Sequence, residues 1–468
     1  MSRSSPALTN TGRASRQLGA QSEPGPASPR ARGNRSGQRT RSSSQKLALP
    51  VSLFLVALFI PWIFKVGSLA LSPYRLVLVA TFIPCLLAWL SGKAGRIRAA
   101  DILLFLYCAW ATVSLIANHG VGASFQTAGI LLIETVGPYL MARCYIRNVG
   151  TFREMIRLLF LMVAILLPFA ILEAIANRDV IMDLFSTVLP THVIAITEPR
   201  WGLRRVQTVF EHPILHGVVC GSILALVFAV LGDRKSTSKK WLMTGVVAVT
   251  TFLCFSSGPL TAIAAQGMLL CWNWFLRDNK NRWKLLWAMV FAAYVFVSMA
   301  SNQTVPEFFI THFAFDQLSA GYRVLIWNFG TESVMNHPIF GVGLGEWDRP
   351  SWMPPSIDMF WLIHAVYYGL PGGILMMAAF LSNAFSVGYA KGLDEETGRY
   401  KTAYVIALTG LFMVGWTVHF WNTTYVLVMF LMGAGTFFLD TATEQDAPRS
   451  GRRASGQASD PGRARRRT

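Results

Sequence analysis

Cysteine motifs are absent from this chain. Its six cysteines form no CxxC pair and no cysteine–histidine cluster, so neither a disulfide framework nor a zinc site is expected. No metal or cofactor site is predicted from these residues. All of the cysteines except Cys144 lie in apolar segments, and cysteines in such segments are usually buried as small hydrophobic side chains.

Acidic residues are scarce as well. The chain has 24 Asp and Glu against 42 Lys and Arg, a formal net charge of +18, and only 14% charged residues. A basic excess often indicates a nucleic-acid partner, but here the location of the charge decides. Most basic residues lie in two tails and in short loops beside apolar runs, which indicates membrane topology rather than a ligand.

Large apolar side chains are almost missing from residues 1–45, which are rich in Ser, Arg, Gly and Pro. This segment cannot bury a core, and we predict that it is disordered. A signal peptide is not expected, because the first apolar run begins only near Leu47 and many more follow. Residues 440–468 are similar in composition. Both basic tails are predicted to be disordered and cytoplasmic and to contact anionic lipid headgroups. Nucleic-acid binding is disfavoured because the tails lack interleaved aromatic residues.

Hydrophobic sequence is what the chain has in abundance, at 53% of residues. Residues 46–439 contain repeated apolar runs of about 16–25 residues, which predict an all-α polytopic membrane domain with about 12 transmembrane helices. The predicted spans run roughly 47–64, 76–91, 100–117, 123–142, 155–176, 212–231, 241–256, 259–276, 283–300, 360–385, 402–419 and 421–439.

The short loops between these spans alternate in charge. Basic residues are concentrated in five of them, at 92–98, 143–153, 233–240, 277–284 and 391–401. All five fall on one side if the N-terminus is cytoplasmic. The positive-inside rule therefore predicts a multi-pass membrane protein with both termini cytoplasmic and two long loops on the outer side, about 177–210 and 302–358.

These two loops hold most of the ionisable residues on the predicted outer side, which indicates that an anionic group is handled there. Arg204 and Arg205 are candidates because paired guanidinium groups can bind phosphate through bidentate hydrogen bonds. The alternative is an interfacial basic pair that lipid headgroups neutralise. Glu211 and His212 lie at the mouth of a helix whose first turn holds Pro213. The carboxylate of Glu211 can cap that helix, or both residues can join a site.

The second loop contains a segment with helical spacing, from Tyr322 to Val334, with Leu325, Ile326, Phe329 and Ser333 near one face. We predict an amphipathic helix on the outer membrane surface, from which Arg323 can reach a phosphate. The glycines that follow, Gly341, Gly343 and Gly345, lack the βαβ context of a dinucleotide site and predict a tight loop or a close backbone approach to a ligand. Glu346 and Arg349 are further candidates in the same loop.

Asp358 stands at the predicted water–lipid boundary before the tenth span. Partial burial there would raise its pKa and make it a candidate general base, and Asp is also a good helix N-cap. His364 lies about 240° further round a helix, so it is predicted to face elsewhere as a packed, hydrogen-bonded histidine. His419 can join the same outer site. Glu134, inside the fourth span, is costly to bury and needs a partner that the sequence does not name.

Four short motifs follow one another between residues 200 and 373. They read RRVQTVFEHPILHG at 204–217, FSSGPLTAIAAQ at 255–266, GYRVLIW and HPIFGVGLG within 321–345, and SIDMFWL and YGLPG within 356–372. This ordered set resembles the bacterial O-antigen ligase / O-antigen polymerase family of membrane glycosyltransferases. The resemblance covers residues 200–373 well and the remainder by its pattern of spans only.

The resemblance implies a metal-independent glycosyltransferase that uses an undecaprenyl-pyrophosphate-linked glycan as donor. Arg204, Arg205 and Arg323 would bind the pyrophosphate, and Arg323 would also act in catalysis. The family's usual His before the tenth span is Asp358 here, where a carboxylate can still activate the acceptor hydroxyl. The acceptor would be another glycan or a lipid A-core, so O-antigen ligation, polymerisation and exopolysaccharide assembly remain alternatives.

Two other classes of function stay open. A transporter or flippase of lipid-linked oligosaccharide predicts broken helices and midplane charges in matched halves of the chain, but only Glu134 is a clear midplane charge. A non-catalytic component of a polysaccharide export machine is the third possibility, and the arginines and carboxylates of the outer loops argue against it.

Overall fold

The computed structural model describes residues 46–67, 69–302, 304–312 and 317–446, and it is mostly helical. The predicted tails therefore lie outside the described residues, except for 440–446. The helices of the first half are α1 Leu49–Ala57, α2 Pro73–Leu90, α3 Ala99–Tyr145, α4 Val149–Ala176, α5 Val180–Ser186, α6 Pro213–Gly221 and α7 Leu224–Leu226, which runs into a π-helical turn, Val227–Leu231. Those of the second half are α8 Thr237–Phe252, α9 Ser257–Phe275, α10 Arg282–Ala300, α11 Val305–His312, α12 Gln317–Asn336, α13 Phe360–Tyr389, α14 Glu395–Val414, α15 Asn422–Ala434 and α16 Phe437–Asp446.

Seven helical segments in the described part of the chain are long and apolar enough to cross a membrane. They are Pro73–Leu90, Ala99–Tyr145, Val149–Ala176, Pro213–Leu231, Arg282–Ala300, Phe360–Tyr389 and Asn422–Ala442. These seven cover eight of the twelve predicted spans, because Ala99–Tyr145 contains two. The structure thus agrees with an all-α membrane protein, while the number of twelve spans stays a prediction.

The first predicted span, 47–64, is wrong as a continuous helix. Only the nine residues of α1 are helical, and the chain then forms a two-stranded antiparallel hairpin, β1 Phe64–Val66 and β2 Leu69–Leu71. A nine-residue helix is only about 14 Å long, less than half the hydrocarbon thickness of a bilayer. Residues before the hairpin instead pair with the first long loop, where Ile63 N donates to Pro190 O at 2.9 Å.

The long helix α3 is a pair of antiparallel arms. Arg143 is bonded to Asp101, 42 residues away, although a straight helix would hold them about 60 Å apart. The reversal is at Gly120, whose φ of 77° breaks the helical backbone. Residues 100–117 and 123–142 therefore occupy separate arms, as predicted.

Helix α13 also folds back on itself. The rings of Trp361 and Phe380 lie 5.1 Å apart although 19 residues separate them, and the backbone breaks at Gly369, with a φ of 73°. The glycine-rich loop braces this break. Val342 N and Gly343 N donate to Val366 O and Tyr367 O, each at 2.9 Å, and so satisfy carbonyls at the end of the short first arm.

These contacts confirm the tight loop predicted for the glycines. A side chain at Gly341 would lie 2.4 Å from Val366 O, so only glycine allows this close backbone approach. The approach is to α13 of the same chain. The first arm of α13 ends at the break at Gly369 and packs against the second arm. The segment just before the first arm, which includes Asp358, therefore lies against the other helices.

Two other expectations need correction. The helix at the C-terminal end continues to Asp446, past the predicted tail boundary at 440, because Asp440 pairs with Arg98 at 2.5 Å and Ala442 is buried. Cys271, predicted to be buried, is exposed on α9.

Candidate functional site

Three arginines meet at two irregular loops, residues 253–256 and 415–421: Arg200 and Arg205 come from one segment and Arg323 from a distant one. Arg205 Nε donates to Cys254 O at 3.4 Å, and Arg200 Nη1 donates to Phe255 O at 2.7 Å. Arg323 Nε donates to Thr417 O at 3.0 Å. The two loops pack closely, since a methyl group added at Gly258 would lie 3.0 Å from Thr417 Oγ1.

Ser319, at the start of α12, joins two of these arginines. Its hydroxyl accepts from Arg200 Nη2 at 3.3 Å, and its carbonyl accepts from Arg323 Nη1 at 3.5 Å. Arg323 itself is buried. We refer to Arg200, Arg205, Ser319, Arg323 and Asp358 as the Arg323 cluster.

Asp358 is included in this cluster because its charge interacts with that of Arg323. Burial raises the pKa of Asp358 above its ordinary value, and the nearby Arg323 guanidinium lowers that pKa in part. Asp358 does not cap a helix, because α13 begins at Phe360 with Met359 in the cap position and no side-chain cap. The N-cap expectation is therefore wrong, and a half-buried carboxyl group stands beside a buried guanidinium.

Helix α12 confirms the predicted helical segment but corrects its buried face. The buried stripe is Ala320, Arg323, Ile326, Gly330 and Ser333, while Leu325 and Phe329 are only half-buried. This stripe packs against the residues before and within the first arm of α13. Arg323 is buried because the helix turns this face toward α13, and not the face that carries Leu325 and Phe329.

Glu211 and Glu134 are joined by a line of polar contacts. Glu134 Oε1 accepts from Arg75 Nε at 2.7 Å and from the Tyr74 hydroxyl at 3.0 Å. Arg75 Nη2 donates to Asn422 Oδ1 at 3.2 Å, and Asn422 Nδ2 donates to Glu211 Oε1 at 3.0 Å. The partner that Glu134 needed is thus Arg75, on the neighbouring α2.

The candidate histidines lie close to the same loops. His212, and not Glu211, caps α6, since its Nδ1 accepts from Ile214 N at 3.1 Å, and Pro213 follows at the first turn as predicted. Trp421 contacts the rings of both His212 and His419, at 6.2 and 5.5 Å between centroids. His364 is packed and hydrogen-bonded to the Tyr107 hydroxyl at 2.8 Å, as expected.

Arg204 lies apart from the Arg323 cluster. Its Nε is 3.5 Å from Glu173 Oε1, and its Nη1 donates to Asn177 O at 3.1 Å. Neighbouring side chains of an extended segment point in opposite directions, so Arg204 and Arg205 cannot both face the loops. The fully buried Glu173 also accepts from Gln207 N and Thr208 N, which gives this ion pair a structural role.

Glu346 and Arg349 pair with each other instead of joining the cluster directly. Arg349 Nη2 lies 2.5 Å from Glu346 Oε2, and the Glu346 side chain is 75% exposed. Arg349 is nevertheless near: its charge lowers the pKa of Tyr322 while burial and Asp358 raise it. The charges of Asp358 and Arg349 thus both act on Tyr322.

Sequence reasoning did not select Arg200, Ser319 or Arg75. Arg200 begins the conspicuous segment that contains Arg204 and Arg205, so its position was a usable signal. No comparable sequence signal marked Ser319 or Arg75, because a lone serine or arginine beside an apolar run is common. Their roles come from contacts across more than 50 residues of sequence.

Chemically, the cluster combines cations with a carboxyl group of raised pKa. Guanidinium groups suit phosphate and pyrophosphate, and a carboxylate whose pKa is raised by burial is a better proton acceptor than an ordinary aspartate. No protein-family model matches the chain, and no curated protein matches it either.

Proposed function

We propose that the chain is a membrane glycosyltransferase of the O-antigen ligase or polysaccharide polymerase type. It transfers a glycan from an undecaprenyl-pyrophosphate donor to a hydroxyl group of a glycan or lipid A-core acceptor. In this proposal the reaction takes place at the periplasmic face of the bacterial inner membrane, in the assembly of O-antigen or exopolysaccharide.

The observation that carries the proposal is that Arg205 and Arg323 reach the loops at 253–256 and 415–421, with Asp358 close enough to Arg323 for their charges to interact. These residues lie far apart in the sequence, and all three belong to the motifs that resemble the ligase and polymerase family. Irregular backbone at membrane depth is tolerated only where protein buries it or where it lines a polar cavity. A cluster of cations where these two loops meet suits an anionic substrate.

The proposed reaction uses each group once. Asp358 accepts the proton of the acceptor hydroxyl as its oxygen attacks the anomeric carbon of the donor sugar. The bond between that carbon and the pyrophosphate oxygen breaks, and undecaprenyl pyrophosphate leaves with the electron pair. Arg205 and Arg323, together with Arg200, stabilise the negative charge that develops on the leaving group. Asp358 then releases its proton to water.

A gene deletion with complementation tests this function. The deletion strain should lose or shorten its surface polymer and accumulate lipid-linked glycan, and the wild-type gene should restore the polymer. Arg323→Ala and Asp358→Ala should not restore it. Arg178→Ala is the matched control, because Arg178 lies in the first long loop but forms a surface pair with Asp183.

Two results would count against the proposal. Full rescue by both Arg323→Ala and Asp358→Ala would show that the site is misassigned. An unchanged surface polymer in the deletion strain would remove the glycosyltransferase function itself and leave transport or an accessory role. Membrane levels of each variant, measured by immunoblot, separate loss of chemistry from loss of protein.

Transport of lipid-linked oligosaccharide is the second candidate, and the pair of the buried Glu134 and the half-buried Arg75 favours it, since charges within helices often mark a substrate path. Purified protein in liposomes distinguishes the two. A transferase forms a new glycosidic bond in the absence of a gradient, whereas a transporter moves an intact labelled donor across the bilayer.

A further inference from the structure

The turn between α4 and α5 places two acidic side chains close together in the first long loop. Helix α4 ends at Ala176, and Asn177 follows with a left-handed φ of 52°. Asp179 caps α5, since its Oδ1 accepts from Met182 N at 3.3 Å. Glu173, in the last turn of α4, is 0% exposed, Asp179 is 4% exposed, and their charges interact. Two buried carboxylates at one turn repel each other unless one of them holds a proton.

The hydrogen-bond donors at this turn are divided unequally between the two carboxyl groups. Glu173 accepts from two backbone N–H groups of the segment 207–208, and Arg204 Nε lies 3.5 Å from its Oε1. Asp179 Oδ2 is buried and has no hydrogen-bond partner in the described part of the chain. A buried carboxylate oxygen without a donor is costly when it is ionised, and a proton removes that charge. Asp179 is therefore the member of the pair that is suited to hold the proton.

The charged groups that act on Asp179 come from both helices and from the end of the loop. Burial and the charges of Glu173 and Asp183 raise the pKa of Asp179, while the cap hydrogen bond and Arg204 lower it in part, and the result is a pKa of about 7. Arg178 is adjacent in sequence, but its Nε pairs with Asp183 Oδ2 at the surface, at 2.5 Å. Asp179 thus gains or loses its proton near neutral pH.

We infer that Asp179 operates a proton switch in the first long loop: α5 stays packed against α4 while Asp179 is protonated, and it separates when Asp179 ionises. The loop lies on the predicted outer side, so the pH outside sets the state of the switch. Arg204 pairs with Glu173, and its neighbour Arg205 reaches the loop at 253–256, so the switch acts on the segment that carries both arginines. This behaviour goes beyond the proposed function and does not depend on it.

The raised pKa of Asp179 fixes the direction of the pH effect. The packing of α5 is strongest below about pH 4, the ordinary pKa of an aspartate, and it is lost as the pH rises through about 7. The equilibrium constant for packing should fall about tenfold for each pH unit between about pH 5 and pH 7, and then level off. Helix α5 has only seven residues and buries Ile181 and Met182, so it can open locally while the long helices stay folded.

Hydrogen exchange of the α5 amides, in the full-length protein in lipid nanodiscs, tests the switch. Protection is expressed as the ratio of the intrinsic to the observed exchange rate, which removes the pH dependence of the exchange chemistry. In the wild type it should fall about a hundredfold between about pH 5 and pH 8. Asp179→Asn keeps the cap oxygen but cannot ionise, so its protection should not vary with pH and should exceed that of the wild type at about pH 8. Asp183→Asn, at a surface carboxylate of the same helix, is the matched control and should keep most of the fall.

Three results would overturn the inference. The first is the same pH profile in the wild type and in Asp179→Asn. The second is a loss of protection in Asp179→Asn at every pH, which would reduce the carboxyl group to a helix cap. The third is a flat profile in Asp183→Asn, which would place the switch at the surface pair. Amides in the middle of α4 serve as the internal reference, because an equal loss of protection there would mean general unfolding and would also contradict a local switch.

Discussion

Arg143 and Arg323 are both buried arginines, but their surroundings differ. Arg143 lies in the second arm of α3 and is bonded to Asp101 in the first, and neither side chain is exposed. Its Nη2 also donates to Ala94 O and Arg96 O, at 3.2 and 2.7 Å. Asp101 accepts in addition from the Tyr139 hydroxyl at 2.5 Å. Helices thus hold both members of this ion pair, and Arg143 also bonds to two carbonyls of the segment between α2 and α3.

Arg323 extends from a helix as well, but its partners are irregular segments. It donates to Thr417 O in the loop between α14 and α15, and it acts on Asp358 just before the reversed arm of α13. Loops held by a rigid scaffold are where binding and catalytic residues concentrate. The comparison teaches that burial alone does not describe an arginine's surroundings: Arg143 has a fully buried carboxylate partner, whereas the carboxyl group near Arg323 is only half-buried.

The largest expected effect is on the structural side of the comparison. Asp101→Ala would leave Arg143 buried without its carboxylate, which costs about 3–5 kcal/mol of stability. The free energy of unfolding in detergent measures this loss. The double variant Asp101→Leu with Arg143→Met should recover part of it, since a buried pair can often be replaced by apolar residues. A stable Asp101→Ala single variant would break the comparison.

On the functional side, Arg323→Ala should lower the glycan transfer rate about 10²–10³-fold, the usual cost of removing one donor that stabilises developing charge. Arg323→Lys should fall between it and the wild type, because lysine keeps the charge but not the two-pronged geometry. Transfer of labelled glycan in liposomes gives these rates. A thermal unfolding midpoint that drops as far as that of Asp101→Ala would instead make Arg323 a structural residue.

The pH dependence of the transfer rate and of stability tests the role proposed for Asp358. A general base must be ionised, so the transfer rate should fall as the pH drops through its raised pKa, at higher pH than an ordinary aspartate would require. The effect on stability has the opposite sign. Because the folded state holds the proton more tightly, stability is full below the ordinary pKa and is lost as the pH rises through the folded pKa.

Asp358→Asn removes that titration, and it should be inactive yet more stable than the wild type above the raised pKa. Rate and unfolding profiles from pH 4 to 9 measure both effects. If Asp358→Asn were less stable than the wild type across this range, the carboxylate would be structural.

The smallest expected effect is at the surface pair of Glu346 and Arg349. Exposed ion pairs contribute about 0–1 kcal/mol, so Glu346→Ala should change the unfolding free energy by no more than that and leave the transfer rate nearly unchanged. A large loss of glycan transfer would show instead that the Glu346–Arg349 pair contributes to function, together with the nearby Tyr322.

Much of the fold could be predicted from local pattern. The apolar runs place most of the long helices to within a few residues, and the helical spacing from Tyr322 locates α12. The first span failed because hydropathy does not distinguish a helix from a short hairpin in an apolar run. The rotation of α12 was also missed, since its buried face includes Arg323, a residue that a hydrophobic pattern assigns to the surface.

The candidate site was only partly predictable, as Arg204 and Arg205 show. They are identical and adjacent, yet one pairs with Glu173 and the other reaches the loop at 253–256. Their difference depends on which side of an extended segment each faces, and on elements far away in the sequence. Arg200 was missed for the same reason.

The sequence by itself determined an apolar helical chain, the separation of charge into short basic loops and two long polar ones, and the residue types available for anion chemistry. These features follow from local composition and spacing. Only the tertiary structure decided that α13 reverses at Gly369, that Arg323 is buried near Asp358, and that Arg204 is turned away. Such outcomes depend on backbone reversals and on packing between distant segments, which local periodicity does not encode.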